Sequence, residues 1–453
     1  MTNENSPRAR FPRSLVVPMI VGAVLNPVNT SIIAVALVPI GIAFGAPADE
    51  TAWLISALFI ATAIGQPLTG RLADSLGPRY LFLAGAALTT VAGVAGAVAP
   101  NIWVLVVARV ILGFGTSAAY PASIAILGLE SRRSGRPTPS SVLTLLAIAG
   151  QTVAVIGPTL GGALIEIGGW QATLAINVPL GVLSFVLGAL WLPKIRHLET
   201  GERARTSIDM AGILLFATTL VSVLIFIKGP SIALIWLPAI AAIAAVCFVL
   251  RELRAPDPFI DIRVIATSGP LLVIYLQMFL SAIVTYSFIF GFTQWLEGGR
   301  GLTPAVTGLV LLPSFASGLL IAAITGRNKR FTGKLVASGI AQLVGLTLML
   351  FITDNAELWY LVLISIVMGV PQGLINVGTQ SAVYLMADQK KLGSAAGLLR
   401  AFMYLGAIAS SALGGIAFAG GHSSEQLHLL SVFMLGAAIL FAALLLCRRA
   451  RHS

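Results

Sequence analysis

The sequence predicts an all-α polytopic membrane protein with fourteen transmembrane helices, and three observations carry that prediction. Of 453 residues, 57% are hydrophobic and only 10% charged, with a mean hydropathy of +0.95, whereas soluble domains carry about 25% charged residues. The apolar runs are mostly twenty residues or longer, the length at which a helix rising ~1.5 Å per residue crosses about 30 Å of hydrocarbon. None alternates polar with apolar residues over about ten positions, as the strands of a membrane barrel do.

Taken in order, the runs place six spans at about 14–43, 51–69, 80–98, 102–128, 140–165 and 170–193. Two more follow at about 207–227 and 231–250, and six at about 269–296, 303–325, 335–353, 358–386, 392–419 and 427–447. The first run outlasts a secretory leader and lacks a small-residue cleavage pattern, so it reads as a retained span.

Lysine and arginine orient these spans. With the N-terminus, the even-numbered loops and the C-terminus on one side, 24 of the 28 basic residues fall on that side. Only Lys228 and Arg300 lie in the opposite loops, and only Arg109 and Arg400 lie within spans. The positive-inside rule makes the crowded side cytoplasmic, so both termini are expected in the cytoplasm and the protein in the cell (inner) membrane. The formal net charge of +11 is then topological, and no nucleic-acid partner is expected. Cys247 and Cys447 both sit in apolar runs, which predicts neither a disulfide framework nor a metal site; no cofactor is expected.

An internal repeat divides the chain. Thr69-Gly70-Arg71 with Gly77 returns as Thr325-Gly326-Arg327 with Gly333, offset by 256 residues, and Gly113 meets Gly369 at the same offset. Gly161-Gly162 corresponds to Gly414-Gly415 at an offset of 253. The expected organisation is a tail (1–13), a six-helix half (14–193), and a cytoplasmic linker (194–263) with an inserted helix pair. A second half (264–447) and a tail (448–453) complete it. Parallel halves that rock about a midplane site are a recurring transporter design.

Four motifs carry a resemblance to a known family. Gly70-Arg-Leu-Ala-Asp74-Ser-Leu-Gly77-Pro-Arg79 is similar to the loop after the second span of the major facilitator superfamily. Arg109-Val-Ile-Leu-Gly113-Phe-Gly115 resembles that family's fourth-span Arg-x-x-Gln-Gly-x-Gly, with Leu112 in place of Gln. Gly157-Pro158-Thr-Leu-Gly161-Gly162 looks like its antiporter motif. The run from Trp170 through Asn177 and Pro179 to Gly181 resembles the start of the sixth span in its fourteen-span drug:proton antiporter branch. The resemblance implies two six-helix halves plus an inserted pair, a hinge at Gly70, Asp74, Gly77, Arg79, Gly326, Arg327 and Gly333, and proton-driven export. One departure stands out. Where the branch carries an Asp in its first span, this chain has Asn29, and an amide cannot titrate.

The membrane interior is poor in charge. No acid lies near the midplane by this count; Glu297 and the other acids fall at span ends or in loops. The deep ionisable groups, Arg109 and Arg400, are functional candidates by default, or guanidinium groups satisfied by backbone carbonyls and neighbouring amides. Asn26, Asn29, Thr30, Gln151, Gln372, Asn376 and Gln380 are candidates for contacting a substrate or bonding helices together. Gln372, Asn376 and Gln380 recur every four residues and so share one helical face. Further buried amides are Gln66, Asn177 and Gln277, and Tyr120, Tyr286, Phe288, Tyr384 and Tyr404 are aromatics able to line an apolar site.

No Gly-x-x-x-x-Gly-Lys-Ser/Thr loop is present for an ATP-driven pump, and no hydrolase or zinc motif for an enzyme. The expected function is a secondary transporter exporting small amphipathic compounds by alternating access, with a small-molecule substrate, the bilayer and protons as partners and a monomeric state. Buried arginine without midplane acid favours neutral or anionic solutes. Two readings stay open beside it: an exporter or facilitator of a specific neutral or anionic metabolite without proton antiport, and a sensor or assembly protein on the same scaffold.

Overall fold

The computed structural model describes residues 13–134, 140–193, 209–228, 234–256, 258–259, 262–263, 269–326, 331–386 and 392–450. Among them the chain forms fourteen helices and no strand. They are α1 (Arg13–Phe44), α2 (Ala48–Leu76), α3 (Pro78–Ala97), α4 (Ile102–Ser134), α5 (Ser140–Ala175), α6 (Asn177–Trp191), α7 (Met210–Lys228) and α8 (Trp236–Arg254). The remaining six are α9 (Gly269–Ser287), α10 (Pro304–Gly326), α11 (Phe331–Leu350), α12 (Leu358–Met386), α13 (Leu392–Ala417) and α14 (Ser424–Ala450). Eleven stretches are long and apolar enough to cross a membrane, or twelve if the broken α5–α6 pair counts as one, and Met210–Phe226 is a shorter apolar helix.

Local chemistry sets where the chain turns. Gly45, Gly169, Gly301 and Gly421 all take positive φ at one end of the bundle, and Gly77 does so at the other. Gly169 (φ 67°) and Gly168 interrupt α5, which separates the fifth span from the sixth where the sequence predicts. The segment expected to be a polar loop, Gly70–Arg79, is instead mostly helix. α2 runs on to Leu76, the reversal is confined to Gly77 (φ 94°, ψ 134°), and Pro78 starts α3. Polar residues need not end a helix that has left the hydrocarbon, whereas a proline at the first helical position is compatible with starting one. α9 is continued by two π-helical segments, Phe288–Phe292 and Trp295–Gly299, so it is longer than the predicted span.

The packing repeats at a fixed step. α1 packs on α5 and α6, α3 on α4 and α6, and α2 on α4. Adding eight to each label gives the pairs α9 with α13 and α14, α11 with α12 and α14, and α10 with α12, all of which are in contact. α7 and α8 fall between the two sets and pack on each other, tied by an ion pair from Arg251 Nε to Asp209 Oδ1 at 2.6 Å. The sets meet along two seams, α2 against α13 and α5 against α10, which the same step interchanges.

Candidate functional site

The first group of predicted residues lies within the first helix set, with Asn29 and Arg109 buried and Asn26 and Thr30 half-buried. Asn29 on α1 and Asn177 on α6 exchange two hydrogen bonds, Asn29 Nδ2 to Asn177 Oδ1 (2.5 Å) and Asn177 Nδ2 to Asn29 Oδ1 (2.9 Å). Both side chains are buried, and Asn29 Nδ2 also reaches Leu25 O at 2.8 Å. Arg109, 1% exposed, donates from Nε to Leu54 O (3.1 Å) and from both terminal nitrogens to Asn29 O (3.4 Å). The guanidinium thus joins α4 to α1 and α2 through main-chain carbonyls. Such acceptors meet the need of a buried charge for hydrogen bonds, while the Asn29 side chain is taken up by Asn177. Asn26 Nδ2 donates to Thr116 Oγ1 (3.2 Å), and Thr30 bonds back to the carbonyls of Asn26 and Pro27.

The antiporter-type motif builds one seam. A β-carbon on Gly157 or Gly161 would collide with Ser31 or Val35 of α1, so these positions let α5 lie close on α1. Gly162 faces the other way. A β-carbon there would fall on the backbone of Pro304 and Ala305 of α10, and one on Gly308 would meet the Pro158 carbonyl at 2.5 Å. Thr159 Oγ1 donates to Gly308 O across the same crossing (3.1 Å). At the second seam Ser56 and Ser411 bond at 2.7 Å, and Ser411 Oγ also donates to Ala52 O at 2.7 Å. Both contacts lie toward the end that holds Gly45, Gly169, Gly301 and Gly421, which is therefore closed.

Farther along the α2–α13 seam, polar and aromatic side chains from both sets converge. Gln66 Nε2 donates to the Tyr404 hydroxyl (2.7 Å), and Arg400 lies 3.4 Å from Gln66 Oε1 with its guanidinium 5.1 Å from the Tyr120 ring. Phe59 touches Tyr286, Tyr404 and Phe290 at ring distances of 5.1, 5.9 and 6.3 Å. Tyr286 stacks on Phe290 at 5.9 Å. This cluster draws on α2, α4, α9 and α13, and Arg400 is exposed within it. An aromatic wall with a cation and an amide can hold a flat, partly apolar solute by stacking and orient it by hydrogen bonds.

The other predicted residues are scattered. Gln372 and Asn376 are half-buried and Gln380 is exposed on α12. Arg79 donates to Ala189 O of α6 at 2.6 Å. Gly326 ends α10 and Gly333 lies in the first turns of α11, neither with positive φ, so the second hinge does not copy the backbone of Gly77. Gly70 and Asp74 lie on α2 and Gln151 on α5, but the Asp74 and Gln151 side chains, and Arg327 altogether, are outside the described residues.

Two features escape the sequence reading. The pairing of Gln66 with Tyr404 is one, since no local signal links residues 338 apart. The other is Glu297, which the sequence places with the acids at span ends or in loops. It lies instead in the second π-helical segment and is 7% exposed. The loops beside it are tied together: Arg300 donates to Ala356 O (2.8 Å), Asp354 Oδ1 accepts from Ser424 N (3.2 Å) and Oγ (2.5 Å), and His428 Nε2 lies 2.9 Å from Ile352 O. The bonds from Ser424, with Arg300 and His428 nearby, hold the Asp354 carboxyl below its ordinary range, and burial does the same to the His422 imidazole.

Comparison with known proteins places this geometry. The sequence profile of the Major Facilitator Superfamily matches residues 19–355. An uncharacterised MFS-type transporter of Bacillus subtilis, YwoD, is 31% identical over 93% of this chain and 94% of its own. The multidrug resistance protein Stp of Mycobacterium tuberculosis is 29% identical, covering 88% of this chain and 74% of its own. The multidrug efflux pump LfrA of Mycolicibacterium smegmatis is 27% identical, covering 88% and 79%. Among solved structures, the nucleoside transporter NupG superposes with a TM-score of 0.68 at 14% identity, over 95% of this chain and 99% of that one, a likeness of fold.

Proposed function

The chain belongs to the major facilitator superfamily and is a multi-pass membrane transporter, and from that premise we propose that it exports small amphipathic compounds by alternating access. The observation that carries this reading is the cluster at the α2–α13 seam. Gln66, Tyr120, Tyr286, Arg400 and Tyr404 come from both helix sets, so relative motion of the sets rebuilds the site they form. Several relatives named for drug resistance or multidrug efflux support the direction. The two sets, 14–193 and 264–447, act as the moving halves, and α7 and α8 form an inserted pair between them. The basic-residue count puts the Gly77 end and both termini in the cytoplasm of a cell with this protein in its inner membrane. The closed end is then the outer one, and the cluster receives its solute from the cytoplasmic side. Gly77 and Arg79 serve as the hinge there, and the protein works as a monomer.

The solute class follows from charge. Arg400 beside Tyr120 and Gln66 favours flat neutral or anionic compounds over lipophilic cations. Proton exchange is the driving force in this reading, with Asn29 excluded as the carrier because its amide cannot titrate. Flux of an anionic and of a cationic dye into inverted vesicles, with and without an imposed pH gradient, tests both points. Anionic flux that rises with the gradient supports the reading; robust cation export, or flux blind to the gradient, sinks its respective half. The Asn29–Asn177 pair favours one second reading, a facilitator or exporter of a specific neutral or anionic metabolite without antiport, which gradient-blind anionic flux would support.

A further inference from the structure

Glu297 is a buried acid with no hydrogen bond among the described residues. Both carboxylate oxygens are closed off from solvent and neither has a partner among the described residues. Its neighbours Trp295 and Leu296 are fully buried. The π-helical segment that carries it touches α1 of the first set and α10 and α14 of the second, so it sits where the halves close the outer end. Gly298 lies close against His422, where a β-carbon would come within 2.6 Å of the His422 ring.

An ionised carboxylate left without partners in such a place is strongly disfavoured. The same carboxyl group in its protonated form costs far less. We propose that Glu297 is a proton-binding site that couples closure of the outer end to uptake of one proton. As the end closes, a proton from solution adds to a carboxylate oxygen; as it opens, that O–H bond breaks and the proton returns to water. No other bond changes. The sign follows from linkage: the closed form binds the proton more tightly, so acid favours closure and rising pH favours opening. The charged and titratable groups around the segment are Arg300 on its own strand of chain, His422 in the α13–α14 loop, Glu425 and His428 on α14, and Asp354 in the α11–α12 loop. The last two turns of α1 and the first two of α10 bring none. His422 is the competing titrating group, and the test separates it.

The inference rests on the alternating-access reading above. Its test uses the full-length protein in lipid nanodiscs, with Cys247→Ser and Cys447→Ser and spin labels at Val98→Cys and Ala419→Cys, both exposed at the closing end. In the wild-type background the closed-to-open ratio should fall with rising pH, by up to about tenfold per pH unit, the limit for one proton. Glu297→Gln should hold the closed form at every pH, Glu297→Asp should move the midpoint and keep the response, and His422→Gln should leave the response in place. An infrared band of a protonated carboxylic acid should be present in wild type and absent in Glu297→Gln. A pH response that survives Glu297→Gln, or vanishes in His422→Gln alone, overturns the proposal. A label pair that never moves overturns alternating access as well.

Discussion

Gln66 on α2 donates through Nε2 to the hydroxyl of Tyr404 on α13 across 2.7 Å, and this bond joins the two helix sets. Tyr404→Phe removes it and keeps the ring beside Phe59. One such bond is worth about 0.5–1.5 kcal/mol net, so the expected change is a rise in KM of roughly two- to tenfold at unchanged expression, read from initial rates in vesicles. An unchanged KM would remove this pair from the site.

Arg400 should decide charge class. Its guanidinium faces Tyr120 at 5.1 Å and Gln66 at 3.4 Å, and a cation over an aromatic ring contributes about 0.5–2 kcal/mol. Arg400→Gln is expected to cut flux of an anionic dye about tenfold or more while raising that of a cationic one. Competition between two dyes of opposite charge measures the switch; parallel loss of both would indicate a packing role only.

Asn29 and Asn177 are predicted to act as a structural clasp. Replacing either by Ala leaves the other amide buried and short of a partner, at a cost of about 1–3 kcal/mol. Both single variants should melt earlier in detergent, and the double variant should cost less than the sum. Flux per folded molecule should hold. A collapse of flux at normal thermal stability would return Asn29 to the coupling machinery.

Gly162 has no room for a methyl group against Pro304 and Ala305. Because the obstacles are main-chain atoms, Gly162→Ala must part α5 from α10 at the closed end. The spin-label pair at Val98 and Ala419 should report more of the open form at every pH, and export should slow. Closure as complete as in wild type would mean the crossing is looser than its geometry.

The Asp354 anchor gives a pH prediction outside the spans. Its folded-state pKa lies below the ordinary carboxylate value because of the Ser424 hydrogen bonds and the nearby Arg300 and His428. A depressed carboxyl pKa stabilises the fold above the ordinary value, and that stabilisation is lost as pH falls through the depressed one. Ser424→Ala should therefore let the loop around Gly421 exchange its amide hydrogens faster at neutral pH and loosen at a higher pH on acidification. Identical exchange profiles in the two proteins would count against it.

Much of this architecture was legible in the chain itself, because hydrocarbon thickness fixes span length and basic residues mark alternate loops. The break at Gly168–Gly169 fell where expected for that reason. The Gly70–Leu76 segment is polar yet helical, because polarity alone does not end a helix and only Gly77 and Pro78 carry backbone signals for a break. The seam cluster was invisible for another reason. Gln66, Tyr120 and Arg400 lie on three separate helices, and side-chain type alone does not say which faces meet. Glu297 was hidden by a helix that winds more widely than 3.6 residues per turn, which moves a residue off the face that regular spacing assigns it.

That wide winding has a mechanical side. In the second π-helical segment Arg300 N bonds Trp295 O at 3.0 Å, five residues back, so the turn holds one residue more than an α-turn. Tightening it to α geometry would push that extra residue onward and turn everything beyond by about 100° about the helix axis. Such a step would turn the side chains beyond it to a new face while the helix stays wound.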